Sequence, residues 1–117
     1  MIINNLSQGH CVPCEGGMPP LDHEYVQKYA TQVPDWKVSA DEKNITREFT
    51  FKDFIEAMKF VNAVADIAQA EGHHPDIYIF YNKVRFELTT HAMNGLSEND
   101  FILAAKIDHL DTDSAKR

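Results

Sequence analysis

The segment EGHHPDIYIFYNKVRFELTTH, residues 71–91, holds three histidines in a spacing that bears on chemistry. His73 and His74 adjoin Pro75, and His91 closes the run. A neutral imidazole accepts a proton and its conjugate acid donates one, with an ordinary pKa of about 6.5. Three such groups brought together can move protons to and from a bound substrate. Three histidines can also hold a catalytic metal. Adjacent residues on an extended backbone point to opposite sides, however, and suit one ion poorly. No HExxH segment or second cysteine pair supports a metal, and no G-x-S-x-G supports a nucleophile. Proton transfer is the chemistry these residue types favour, provided the chain brings them together.

That depends first on the hairpin between them. DIYIFY and VRFELTT read as two strands around Asn82-Lys83. A two-residue turn there pairs Tyr81 with Val84. Continuing that register sets His74 opposite His91, with Cβ atoms about 4.5–5.5 Å apart if the ladder persists. Pro75 has no N–H to donate and can end the ladder early.

The other elements must support that hairpin. Leu21, Tyr25, Tyr29 and Val33 recur at four-residue spacing behind Asp22, which predicts a capped helix ended by Pro34. WKV is a short strand. ITREFTF alternates, with Ile45, Phe49 and Phe51 on one face and Arg47 interrupting it near an edge. Asp53 and Glu56 form a capping box before an apolar stripe of Phe54, Met58, Val61, Ala65 and Ala68, widened by Phe60, Val64 and Ile67. Gly72 ends that helix. Ser97, with Asp100 three residues on, opens a last helix through DFILAAKIDHL. The order helix-strand-strand-helix-strand-strand-helix, with hairpins in place of crossovers, predicts an α+β fold: a four-stranded antiparallel sheet with helices on one face. Residues 1–20 show no apolar period and read as an N-terminal extension to a single domain at 21–117.

Composition removes several function classes. The 117 residues are 44% hydrophobic and 25% charged, an ordinary globular balance. The net charge of -7 and the lack of any basic cluster beyond the terminal AKR argue against direct nucleic-acid binding and against an anionic membrane surface. No apolar run approaches the ~18 residues of a spanning helix. MIINNLSQGH has no basic n-region, so the expected setting is the cytoplasm. Cys11 and Cys14, in CVPC, are spaced for a redox dithiol or half a zinc site. EGGMPP follows and cannot open a helix, so a reduced loop is the expectation.

EGHHPDIYIFYNKV followed by TTHAMNGLSENDF resembles the pterin-4a-carbinolamine dehydratases, also known as dimerisation cofactors of a homeodomain transcription factor. The likeness extends from about Leu21 to Leu110 and takes in DWKV and REFTFKDFIEAMKFVNAVADIAQ. It implies loss of water from a 4a-hydroxytetrahydropterin to give the quinonoid dihydropterin, in tetrahydrobiopterin recycling, with no cofactor and no metal. His73, His74 and His91 would surround the 4a-hydroxyl as general acid and base, with Asp100 orienting a histidine. Pro75, Thr90, Ala92 and Met93 would form walls against the pterin. Many members place an acidic residue four positions before the first histidine, where Gln69 stands; here Glu71 substitutes at the amino-pyrimidine edge or that contact is lost. The resemblance also implies a homo-oligomer, a dimer or tetramer. The alternatives are a non-catalytic dimerisation cofactor and a pterin- or molybdopterin-related accessory protein.

Overall fold

The structure, a computed structural model, describes residues 3–12 and 19–114. Helix α1 spans His23–Ala30, strands β1 and β2 span Lys37–Val38 and Ile45–Thr50, and helix α2 spans Phe54–Glu71. Strands β3 (Asp76–Phe80) and β4 (Lys83–Leu88) and helix α3 (Glu98–Ser114) complete the chain. The sheet is antiparallel in the order β1-β2-β4-β3. Ile45 and Phe49 of β2 and Val84, Phe86 and Leu88 of β4 are buried, while the alternate residues are not, so one face alone carries the helices. The α+β architecture read from the sequence is the one observed.

The caps follow from local chemistry. Asp22 accepts from the N–H of Tyr25 at 3.0 Å, and Asp53 from that of Glu56 at 2.9 Å, closing the first turns of α1 and α2. Helix α2 ends at Gly72, whose φ of 67° opens the left-handed region that a Cβ disfavours. The His73 N–H then reaches back to the Ala68 carbonyl at 3.2 Å, a Schellman closure that aims the chain toward β3. The buried face of α2 is Ala57, Phe60, Val61, Val64 and Ala68. It is turned from the stripe read in the sequence, since Phe54 is 44% exposed and Ala65 also faces solvent. Phe60 sets the orientation: its ring lies 4.9 Å from Phe49, 5.2 Å from Phe51 and 6.0 Å from Phe86.

The hairpin register differs from expectation. Phe80 pairs with Lys83 and Asp76 with Glu87, so the turn residues are Tyr81 and Asn82. Tyr81 takes a φ of 54°, an unfavourable choice for an aromatic residue. Asn82 explains it: its carbonyl accepts from Phe51 N–H at 2.7 Å and its side-chain amide donates to the Phe51 carbonyl at 3.0 Å. This tether to the end of β2 outweighs the local turn preference. The shift preserves the facing of every side chain, since partners move by two. β3 begins only at Asp76, so His74 and His91 are not strand partners.

Residues 3–12 are docked on the domain, where the sequence reads as an extension to it. Leu6–Gln8 forms a 3₁₀ turn against α3, and Leu6 is buried in the core. Lys106 donates to the Ser7 carbonyl at 3.1 Å, Gln32 to the Ile3 carbonyl at 2.7 Å, and Ile3 N–H to the Tyr29 hydroxyl at 3.2 Å. A lone leucine among polar residues has no period for sequence analysis to detect. Leu6→Ala should lower the unfolding free energy by about 2–3 kcal/mol. Urea titration with an unchanged midpoint would show that residues 3–12 do not share the domain's core.

Candidate active site

Asp100 is fully buried in the first turn of α3. Its Oδ2 accepts from the Ser97 N–H at 2.9 Å and the Thr90 hydroxyl at 2.8 Å, and its Oδ1 lies 2.6 Å from His73 Nε2. The capping role and the histidine contact expected of Asp100 are thus both present in the geometry. With the carboxylate accepting, Thr90 gives it its only proton, and Ser97 Oγ, 2.7 Å away, must donate to Thr90 Oγ1. The same logic puts the neutral ring's proton of His73 on Nε2 and leaves Nδ1 as its lone-pair site. The His73 side chain is 12% exposed, enough to meet a ligand while its carboxylate partner stays dry.

His74 is exposed, and its Nε2 lies 3.2 Å from the side-chain Oε1 of Gln69 on the last turn of α2. His91, also exposed, opens the 3₁₀ turn His91–Met93, which follows β4 and closes through Asn94 at a φ of 53°. An antiparallel bridge between Thr90 and Gly95 folds this turn back on itself. His73, His74 and His91 line one cavity of about 300 Å³, together with Gly72, Thr89, Thr90, Ala92, Asn99 and Val12. Convergence therefore comes from a helix cap, a buried carboxylate and a 3₁₀ turn, and not from strand pairing. A larger concavity of about 520 Å³ lies on the sheet's uncovered face. Its lining, Asp35, Lys37, Thr46, Arg47, Glu48 and Arg85, is mostly charged, with Arg47 3.7 Å from Asp35, and holds no imidazole, so the chemistry belongs to the smaller cavity.

Of the candidate wall residues, Thr90 and Ala92 line the cavity, whereas Pro75 and Met93 do not. Glu71 is turned away. Its Oε1 accepts from Cys11 N–H at 2.7 Å, and its Oε2 lies 3.3 Å from His10 Nδ1 and 3.6 Å from Lys106 Nζ. Burial pushes the Glu71 carboxyl up, but the Cys11 N–H, His10 and Lys106 outweigh it and hold the group below its ordinary 4.5. Gln69, Ser97, Thr89, Val12 and Asn99 were not read as site residues. Only Gln69 carried a signal, as the departure from an acidic position. Cys14 lies outside the described residues; Cys11 is half-buried, with its Sγ donating to the Asn99 carbonyl at 3.6 Å. Among the described residues no three His, Cys, Asp or Glu side chains are grouped to hold a metal.

The fold and cavity define a small α+β protein with an imidazole-lined pocket at one end of a four-stranded sheet. The family model described as Pterin 4 alpha carbinolamine dehydratase matches residues 19–110, and the chain belongs to that family. A provisionally named pterin-4-alpha-carbinolamine dehydratase of Nitrosospira multiformis is 52% identical over 108 residues, covering 92% of this chain and 94% of that protein. Its counterpart in Halorhodospira halophila is 46% identical over 106 residues, covering 91% and 97%. The crystal structure of a transcriptional coactivator/pterin dehydratase from Brucella melitensis superposes with a TM-score of 0.74 at 32% identity, over 78% of this chain and 97% of that one. A pterin dehydratase-like protein identified as a RuBisCO assembly factor in the alpha-carboxysome shares the fold, with a TM-score of 0.57 at 22% identity, over 65% and 88%.

Two outcomes test this geometry. Asp100→Ala strands three donors away from water and should cost about 2–4 kcal/mol of stability, read by urea unfolding. Asp100→Asn should fall between the two, because its NH2 meets a donor. For Glu71, a lowered folded-state pKa means that its stabilisation is complete above its unfolded value and fades as pH falls through the depressed one. Wild type should accordingly lose stability relative to Glu71→Gln as pH is taken from about 5 to 3. Parallel curves from urea midpoints would contradict that assignment.

Proposed function

We propose that this protein dehydrates a 4a-hydroxytetrahydropterin to the quinonoid dihydropterin, supporting tetrahydrobiopterin recycling in the cytoplasm. The observation that carries the proposal is the cavity lined by His73, His74 and His91, with His73 held by buried Asp100. Loss of water needs a proton delivered to the departing 4a-hydroxyl and a proton removed from ring N5. His73 suits the base: Nδ1 takes the N5 proton, and the Asp100 carboxylate at Nε2 stabilises the imidazolium that forms. His74 and His91, both exposed at the cavity, suit the acid that protonates the hydroxyl. Thr90 and Ala92 provide walls. Family membership supports a pterin as substrate.

A second reading, not exclusive of the first, is protein binding, which would fit the name transcriptional coactivator that the Brucella relative carries. The observation in its favour is β3, an end strand of the sheet whose Ile79, Phe80 and hairpin neighbour Tyr81 are 40%, 52% and 66% exposed. A homo-oligomer would use such surfaces too. Neither role requires the histidine cluster, which favours the enzyme.

Stopped-flow dehydration of synthetic 4a-hydroxytetrahydropterin tests the dehydratase reading. His73→Ala, His74→Ala and His91→Ala should each stay folded and lose about 10²–10⁴-fold in rate. Doubles should be little worse than the poorer single, because groups acting as a unit combine non-additively. Dialysis against a chelator should leave the rate intact. A His91→Ala variant at the parental rate, or a parent with no activity, would overturn the assignment.

A further inference from the structure

The cavity has a wall that comes from outside residues 19–110, the stretch that the family model matches. That match begins at residue 19, yet Val12 stands among the histidines in the cavity lining. The backbone that brings it there is fastened at three points. Lys106 donates to the Ser7 carbonyl at 3.1 Å, and Glu71 accepts from Cys11 N–H at 2.7 Å. Asn99, 4% exposed, grips Val12 itself with both ends of its amide. Its Oδ1 accepts from Val12 N–H at 3.0 Å and its Nδ2 donates to the Val12 carbonyl at 2.7 Å. A buried primary amide satisfied by one residue's N–H and C=O fixes that residue's backbone as a strand partner would.

The side chain on this fixed backbone lies outside the buried core. Val12 is 66% exposed, while the docking of the segment rests on Leu6, which is 2% exposed. The rest of the described lining is histidine, threonine, asparagine, alanine and glycine, so Val12 is its branched aliphatic group. An aliphatic group held rigidly at the rim of a polar cavity gives a flat ring or its alkyl substituent a surface to cover, without ordering a loop at the moment of binding.

We propose that Val12 is a specificity-determining residue of the histidine cavity, forming an apolar wall against the substrate and positioned by Asn99 and Glu71. The inference rests on the dehydratase reading above and assigns the N-terminal segment to substrate affinity, with the proton chemistry left to the histidines. A contact made equally in ground state and transition state raises KM when removed and leaves kcat alone.

The test is steady-state dehydration of 4a-hydroxytetrahydropterin by full-length Val12→Ala and Val12→Asp, together with equilibrium binding of 7,8-dihydrobiopterin as a non-reacting probe. KM and the probe's Kd should rise about threefold in Val12→Ala and about tenfold or more in Val12→Asp, which sets a charge against the ring. kcat should stay within about twofold. Because Val12 is exposed, the urea midpoints of both variants should match the parent. Parental KM and Kd in both variants, with the parent active, would overturn the wall while leaving the dehydratase reading in place. A fall in kcat at constant KM would also overturn it, by making Val12 a structural support of the histidines. A parent that neither turns over nor binds the probe would remove the dehydratase reading and the wall with it.

Discussion

The Asp100 carboxylate is the constraint on which the site depends. A carboxylate with no exposure to water is costly unless donors replace its hydration. Here the donors come from three parts of the chain: His73 just after α2, Thr90 just after β4, and Ser97 at the entrance of α3. Satisfying one charge therefore fixes the exit of α2, the end of the central strand β4 and the start of α3 relative to one another. The Ser97–Thr90 hydroxyl contact extends the network by one step and leaves little freedom in the direction of its protons. A cavity whose walls are the ends of these elements inherits that rigidity.

A second charged network does the same work farther along α3. Asp108 accepts from the Trp36 indole at 2.8 Å and from Arg47 at 2.6 Å, and Arg47 lies over the Phe49 ring at 4.2 Å. Burial raises the Asp108 carboxyl above its usual range even though both donors pull it down. Arg47 is thus no defect in the apolar alternation of β2. It is the point where the sheet reaches a helix carboxylate, and it ties α3 to the sheet while Asp100 ties α3 to the hairpin.

The N-terminal segment uses a third set of contacts, and these involve the same helix. Leu6 packs into the core, Lys106 and Asn99 of α3 hold the backbone, and Glu71 of α2 accepts from Cys11. Glu71 illustrates how a site residue assigned by analogy can be diverted. Its carboxylate lies two residues from His73 in sequence, yet the left-handed turn at Gly72 separates them, so Glu71 faces α3 and His73 faces the cavity.

Periodicity and capping are local properties, and these the sequence determined alone: the α1 and α2 caps at Asp22 and Asp53, the alternation of β2 and β4, and the strand-strand-helix order that leads to an antiparallel sheet. The histidine cluster was legible as well, because HHP and a third histidine one hairpin away are close along the chain. The reason for their meeting was not legible. Hairpin pairing was the available argument, and Asn82 overrode it through two hydrogen bonds to Phe51, a residue 31 positions away. The buried face of α2 also depended on packing, since two stripes of similar apolarity compete there and the ring of Phe60 among Phe49, Phe51 and Phe86 chooses one. Contacts such as Asn99 with Val12 join residues 87 apart and pair a side-chain amide with backbone. No composition or period records such a contact. Only the tertiary structure decides it, because its energy exists only when distant segments are already in place.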